Sequence, residues 1–402
     1  MTRLLVVSST FPLGPDDRRT ARFVYDLAAA LAARMDVTAL APHHPGAAIA
    51  EDLGPVKVRR FRYAFPTGWE RLADGAGVMP NLRRSWLARL QAPAYLFGFR
   101  RAAGRLIARG AFDAVNSHWL IPSAWAAAAA VRRARVRHLL SIHAADVFLL
   151  KRLPGGRRTA ARIIREAAAV FTDSAFISDE VSDLVGFDVR GIPTTAGVNT
   201  AAFAPIMTAA EAKVKLGWPA APAILFVGRM VEKKGLPYLA DAFAEVLRAM
   251  PDTRLVLAGD GPERAPTERR FRELAFGDRA VFVGPRRHDE LKLMYNAADV
   301  LAVPSIVDRN GETEGMPTVI LEAFAAGCPA AGSRVAGIPE FVHDGRTGFL
   351  AEPKDSDSLA AALVKTLKVG RERFGAACRE AAAARDFGVL ADLYALAAEG
   401  RA

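Results

Sequence analysis

The sequence predicts an α/β protein built as two Rossmann-like lobes, each a mostly parallel sheet flanked by helices and facing the other across a cleft. Three observations predict it. Short apolar runs alternate with Ala-rich segments of helical period along the whole chain, the pattern of repeated βαβ units. That alternation breaks over residues 197–222, a stretch of turn residues, prolines and small polar residues, and then restarts with a strand. Finally, 402 residues with 51% hydrophobic and 24% charged side chains suit two ordinary domains with ample core.

In chain order, RLLVVSS (3–9) reads as the first strand because its β-branched and aliphatic run is bounded by small polar residues. RFVYDLAAALAAR (22–34) repeats its large apolar residues at helical spacing. Strands follow at 37–42 and 56–63, a short buried strand at 114–118, a helix at 122–134 and a strand at 138–144. The first lobe closes with a helix near 157–169, a strand at 169–174, a helix near 176–185 and a terminal strand near 188–195. In the second lobe, strands are predicted at 223–229, 253–261, 279–285, 300–305 and 329–333, with helices at 236–250, 290–298 and 317–327. The expected domains are 1–196 and 197–385, with a C-terminal helix over about 386–402 packing back on the first. Ligands of open parallel sheets bind outside the carboxyl ends of the strands, which puts the expected site in the loops that follow them.

Composition narrows the chemistry. Two cysteines, Cys328 and Cys378, offer no disulfide framework and suit a reducing compartment as small packing residues. The adjacent His43 and His44 lack any zinc-site spacing, so no metal is expected. The opening MTRLLVVSSTFP has no signal-peptide pattern, and no window has the apolar length of a membrane span; a cytoplasmic location follows as the expectation.

The net charge of +11 is unevenly spread: residues 1–196 carry 28 lysines and arginines against 16 acids, the rest 26 against 27. From Gly75 to Phe112 there is no acidic residue, while Arg83, Arg84, Arg89, Arg100, Arg101, Arg105 and Arg109 interleave with Trp86, Leu87, Leu90, Tyr95, Leu96, Phe97 and Phe99. Two readings stand: ordinary helices with solvated arginines, or a peripheral surface for an anionic membrane or lipid-linked acceptor. Nucleic acid is not an expected partner, since no nucleic-acid-binding motif accompanies the charge.

Two motifs carry the chemistry. In FVGRMVEKKG, Arg229 and Lys234 extend from one loop after a strand and could together neutralise a diphosphate. In ETEGMPTVILEAFAAG, Glu314 lies in a loop and Glu322 about two turns into the following helix, eight residues or roughly 12 Å of helical rise away. Carboxylates so far apart cannot form the close pair of a retaining hydrolase, about 5–5.5 Å. They suit instead the two ends of an extended ligand such as a nucleotide diphosphate-sugar, with the helix N-terminus adding free N–H groups. Each string alone equally fits a solvated surface; their combination points to transfer of a sugar. A nicotinamide dehydrogenase is excluded, because LVVSSTFPLG carries no G-x-G-x-x-G.

These strings resemble the retaining nucleotide-sugar glycosyltransferases of family 4, with the GT-B fold. The resemblance covers nearly the whole chain through STFPLGPDDRRTARFVYDLAAAL, HWLIPSAWAAA, SIHAADVF, GVNTAAFAP, LVLAGDGPE, VFVGP and PTVILEAFAAGCPAAGSRVAGIPEFVHDGRTGFL. It implies that Arg229 and Lys234, after Gly228, hold the diphosphate, Glu322 the ribose and Glu314 the transferred sugar, with Gly315 and Met316 positioning it. It also implies that His143 meets the sugar, that Gly284 and Arg286 face the base, and that Gly14 marks an acceptor-side loop where this chain has a single glycine instead of the common pair. His118 is read either as lining the acceptor side or as packing at a strand end, and Asp146, on the same side, either as orienting His143 or as capping a helix. The implied activity is retaining, metal-independent sugar transfer to a glycan or lipid-linked hydroxyl in envelope polysaccharide synthesis, without a cofactor. A sugar-nucleotide epimerase or hydrolase on the same fold and a non-catalytic membrane-associated scaffold are the alternatives.

Overall fold

The computed structural model describes residues 1–14, 17, 22–74 and 78–401, with the side chains of Pro80, Arg83 and Arg84 also outside the described set. The chain divides into two compact units, Met1–Gly197 together with Phe387–Ala402, and Val198–Asp386.

The first unit opens with β1 (Arg3–Val7), α1 (Arg22–Ala32), β2 (Asp36–Pro42), β3 (Ala50–Leu53), β4 (Val56–Phe61), α2 (Val78–Arg84) and α3 (Trp86–Gly110). It continues with β5 (Ala114–His118), α4 (Trp125–Ala134), β6 (Arg137–Ile142), α5 (Ala144–Arg152), α6 (Gly156–Arg165), β7 (Ala169–Thr172), α7 (Ala175–Val185) and β8 (Ile192–Pro193). The eight strands form one sheet in the order β3-β4-β2-β1-β5-β6-β7-β8. All pairings are parallel except β3 with β4.

Strand alternation decides which helix covers which face. Leu4, Val6 and Ala39 point to a core shared with α1, whereas Leu5, Val7 and Leu40 point to the core under α3 and α4. Leu140 and Ile142 continue that second face under α5, α6 and α7.

The terminal strand expected near 188–195 shrinks to two residues at the sheet edge. Pro193 has no N–H to give a further neighbour and breaks the ladder. The polar β3 carries no apolar run and has no sequence signal. Within the acid-free segment, α2 is followed by the 25-residue helix α3, started by Ser85, whose Oγ accepts from the Ala88 N–H at 3.3 Å.

The second unit contains α8 (Thr200–Phe203), α9 (Ala209–Leu216), β9 (Ala223–Val227), α10 (Leu236–Ala249), β10 (Arg254–Ala258), α11 (Arg264–Glu273) and β11 (Ala280–Gly284). It goes on with α12 (His288–Ala297), β12 (Val300–Val303), α13 (Thr318–Ala325), β13 (Ala330–Ser333), β14 (Gly348–Ala351), α14 (Ser356–Val369) and α15 (Arg371–Ala383). Its six strands are all parallel, in the order β11-β10-β9-β12-β13-β14. The stretch 197–222, read from sequence as the boundary where the strand–helix alternation breaks, holds two helices. Thr208 and Glu211 form a reciprocal capping box that starts α9, and Gly217 ends it in the left-handed conformation.

The last helix, α16 (Phe387–Glu399), belongs to the first unit. Its Leu390, Tyr394 and Ala398 join α1 in the core, and the Tyr394 ring stacks on Phe171 of β7 at 3.7 Å between centroids. No described helix is long and apolar enough to cross a membrane.

Candidate functional site

In each sheet, chain connections leave in opposite directions from two neighbouring strands, β9 and β12 in the second unit and β1 and β5 in the first. The loops after such a pair diverge and leave a crevice at the carboxyl ends of the strands. Both groups of chemically loaded residues in this chain sit at these two points.

In the second unit the loop after β9 makes a tight turn ending in Gly235, with φ near +65°. A Cβ there would lie 1.8 Å from the Pro304 carbonyl oxygen, so only glycine lets this loop pack on the one that follows β12. The Ile306 N–H donates to the Lys233 carbonyl at 2.8 Å, locking the two loops together. Lys233 Nζ donates to the Thr313 carbonyl at 3.0 Å and lies 3.6 Å from Glu314 Oε1, while Lys234 Nζ lies 3.3 Å from Glu314 Oε2. The sequence reading missed Lys233, although it adjoins Lys234.

Glu314 is only 9% exposed. Burial works to raise its carboxyl, but the charges of Lys234 and Lys233 lead the effects that outweigh it and hold the group below the usual carboxylate range. Among the described residues no donor lies within hydrogen-bond distance of its Oε1, Lys233 Nζ standing at 3.6 Å. A buried carboxylate oxygen flanked by two ammonium groups and short of a donor can accept a hydroxyl from a ligand.

Gly315 and Met316 are buried beside it, and the Gly315 carbonyl accepts from the Gly337 N–H at 3.1 Å, tying in the loop after β13. Gly228 holds the end of β9 to β10 through its N–H, and a Cβ on it would lie 3.5 Å from Lys234 Cε. Arg229 is exposed in the same loop.

Glu322 does not stand two turns into its helix. Pro317 delays the start of α13 to Thr318, so Glu322 is its fifth residue, and the eight-residue spacing to Glu314 is only partly helical rise. One carboxylate oxygen accepts from the buried Tyr295 hydroxyl at 2.7 Å, which fixes the side chain. Burial, and then the Glu322 charge, push the Tyr295 phenol well above its ordinary value, so it stays a donor.

Gly284 and Arg286 lie apart from this group, at and just after the end of the edge strand β11. Gly284 is buried with φ near +73°, and Arg286 is exposed and pairs with Glu290 at 3.1 Å at the start of α12.

In the first unit His118 ends β5 and His143 follows β6. Their rings stack at 5.5 Å, with His118 Nδ1 and His143 Nε2 3.3 Å apart. Phe23 of α1 and Trp119 pack against His143 at 5.1 and 4.8 Å. Burial, reinforced by the neighbouring His143, drops the His118 imidazole well below its ordinary value, so it is neutral at pH 7.

The group that orients the His143 ring is Asp173, after β7, which sequence reasoning missed: His143 Nδ1 lies 2.9 Å from Asp173 Oδ1. The same carboxylate accepts from the Thr195 hydroxyl and from the Ala144 N–H at 3.1 Å. Burial works to raise Asp173, yet the His143 charge and these hydrogen bonds leave it lowered, so Nδ1 is the donor to Asp173 while Nε2 faces His118 Nδ1. Asp146, read from sequence as orienting His143 or capping a helix, stands as the cap, since Asp173 holds the ring. It caps α5 by accepting from the His143 N–H, and burial pushes its carboxyl up to about 7 against the nearby His143 charge and the backbone N–H groups of Leu120, His143 and Ile121.

Gly14 lies in the loop after β1, where an added Cβ meets none of the described residues within 4 Å. Pro15, Asp16 and residues 18–21 of the same motif lie outside the described residues. Both cysteines are buried, and burial raises their thiols, that of Cys328 to about 12.

Residues 221–368 match the family model described as glycosyl transferases group 1, and residues 20–193 match the glycosyl transferase 4-like domain. The chain is 32% identical over 235 residues to a GDP-mannose-dependent alpha-(1-6)-phosphatidylinositol monomannoside mannosyltransferase of Mycolicibacterium smegmatis, an alignment that covers 58% of this chain and 61% of that protein. The chain thus spans less than two thirds of that relative's length. Among solved structures, a sucrose-phosphate synthase from Thermosynechococcus elongatus superposes with a TM-score of 0.75 at 23% identity, covering 98% of each chain. HepE of Anabaena, crystallised in complex with UDP, superposes with a TM-score of 0.69 at 18% identity, again covering 98% of each.

Proposed function

We propose, for a chain that belongs to the family 4 glycosyltransferases of the GT-B fold, that it moves a sugar from a nucleotide diphosphate-sugar to a hydroxyl of a glycan or lipid-linked acceptor, with retention and without a divalent metal. The observation that carries this reading is the Lys233–Glu314–Lys234 group at the crevice between β9 and β12. Lys234 and Arg229 neutralise the diphosphate as it departs with growing negative charge, the task a metal ion would otherwise perform. Glu314 Oε1 accepts a hydroxyl of the transferred sugar, and Glu322, held by Tyr295, accepts from the ribose. Gly315 and Met316 position the sugar, and Gly284 and Arg286 face the base. In the first unit the His143 imidazole, oriented by Asp173, hydrogen-bonds a substrate hydroxyl, with His118 beside it and the Gly14 loop on the acceptor side. The departing diphosphate accepts the acceptor's proton, so the mechanism needs no dedicated base.

The relative named for a phosphatidylinositol monomannoside supports a lipid-linked acceptor in envelope synthesis. The basic, partly apolar region 83–109 supports a cytoplasmic protein held peripherally at an anionic membrane.

A panel of nucleotide sugars screened by thermal shift should reveal one selective donor that raises the melting temperature. With that donor, Lys234→Ala and Arg229→Ala should each lower kcat by about 10²–10³ while the fold persists. Transfer at the wild-type rate by either variant would overturn the assignment.

A further inference from the structure

Helix α3 exposes a second apolar stripe besides the one it buries. Tyr95, Phe99, Ala103 and Ile107 enter the core, while Trp86, Leu90 and Phe97 stand 71%, 67% and 68% exposed. Residues 86, 90 and 97 follow helical spacing along one line, which Arg101 and Arg105, both exposed, continue toward the helix end. An amphipathic helix hides such residues unless its outer face has a partner.

Beside this line runs a groove of about 330 Å³ lined by Arg100 of α3, Trp125 and Arg132 of α4, and Arg158, Arg162 and Glu166 of α6. The Arg100 guanidinium lies 5.7 Å from the Trp125 ring centroid. Glu166 is shared by Arg132 at 2.9 Å and Arg162 at 3.8 Å, leaving four guanidinium groups against one carboxylate. Arg158 has no charged partner among the described residues. A concave surface with such excess, its guanidinium planes rigid and rich in donors, matches a phosphate. The exposed Phe97 sits one helical turn before Arg100, which lines the groove.

We propose that the groove between α3, α4 and α6 binds the phosphate of an anionic phospholipid headgroup while Trp86, Leu90 and Phe97 enter the adjoining apolar boundary of the bilayer. Aromatic and aliphatic side chains insert at that depth, and arginines flanking them reach the phosphates. Charge complementarity selects this occupant: no acidic residue occurs from Gly75 to Phe112, and only Glu166 lines the groove. The inference rests on the membrane part of the proposed function and on no step of sugar transfer.

The test is cosedimentation of the full chain with vesicles of phosphatidylcholine alone or mixed with an equal amount of phosphatidylglycerol, at low salt and with inorganic phosphate as competitor. The wild type should partition only to the mixed vesicles. Arg158→Gln combined with Arg162→Gln should weaken that partitioning roughly fivefold per arginine. Phe97→Ser should weaken it without changing its salt dependence. Arg248→Gln combined with Arg346→Gln, the same charge change on exposed sites of the second unit, should leave it unaltered. Normal melting temperatures of the variants confirm folding. If the wild type ignores mixed vesicles, both the groove proposal and the membrane reading fall. If it binds them and the groove variant binds equally well, only the groove proposal falls. Inorganic phosphate protecting the groove arginines while vesicles do not bind would assign the groove to free phosphate and overturn the lipid occupant.

Discussion

Replacing Lys234 with methionine keeps the aliphatic stem and removes the charge that stands 3.3 Å from a buried carboxylate. At an effective dielectric of about 20, the lost attraction across that distance is about 5 kcal/mol. Lys233 remains 3.6 Å from the other oxygen, so the net destabilisation belongs near the low end of what breaking a buried pair costs, about 3 kcal/mol. For a unit of this size that lowers the melting temperature by roughly 6–12 °C.

The pH dependence gives the sign. In the wild type the Glu314 carboxyl is lowered, so its contribution is full above the unfolded value and is lost as pH falls through the folded one. In Lys234→Met the burial that raises this carboxyl gains weight, so the folded chain holds the proton to higher pH than the unfolded chain does. The deficit relative to wild type should therefore be largest near about pH 8, shrink as pH falls through the raised folded value of the variant, and vanish only below the lowered folded value of the wild type, where Glu314 is protonated in both proteins. Adding Glu314→Gln should recover part of the loss at neutral pH. Thermal unfolding of the wild type, the two single variants Lys234→Met and Glu314→Gln, and the double variant across that range is the assay. A deficit independent of pH, or no recovery in the double variant, would refute the ion-triad account.

Other outcomes follow from the same geometry. Tyr295→Phe removes the hydroxyl 2.7 Å from Glu322 and should cost about 1.5–3 kcal/mol in denaturant unfolding and raise KM for the donor more than it lowers kcat. Asp173→Asn, which disturbs the Nδ1–H tautomer of His143, should lower kcat by about 10²-fold and move the acid limb of the pH–rate profile, whereas Asp146→Asn should act on stability alone. Gly235→Ala forces a Cβ to 1.8 Å from Pro304 O at positive φ and should destabilise the second unit by more than 2 kcal/mol, whereas Gly14→Ala should stay within about 0.5 kcal/mol of wild type.

The sequence by itself determined the class and order of the elements wherever local signals are strong. The β-branched runs at β1, β9 and β12 and the apolar period of α1 and α10 need no partner to be legible, because side-chain spacing states which face is buried. The capping box of Thr208 and Glu211 was legible too, and was overlooked because its surroundings resemble a linker. The donor motifs could be read because Arg229, Lys234, Glu314 and Glu322 are long charged side chains in short loops and one helix.

Only the tertiary structure decided which of them meet. Lys233 and Glu314 are 81 residues apart in sequence, and their pairing exists because the parallel order of β9 and β12 puts two loops side by side. Asp173 was invisible as the partner of His143, since nothing local distinguishes one strand-end aspartate from another until the β6–β7 register aligns them. The same holds for α3. Its sequence contains two apolar stripes, and only packing against β2, β4 and α4 settled that Tyr95 and Phe99 are core while Trp86, Leu90 and Phe97 face outward. Contacts between residues close along the chain are written in spacing and residue type, whereas contacts across a sheet depend on strand order, which each segment alone cannot specify.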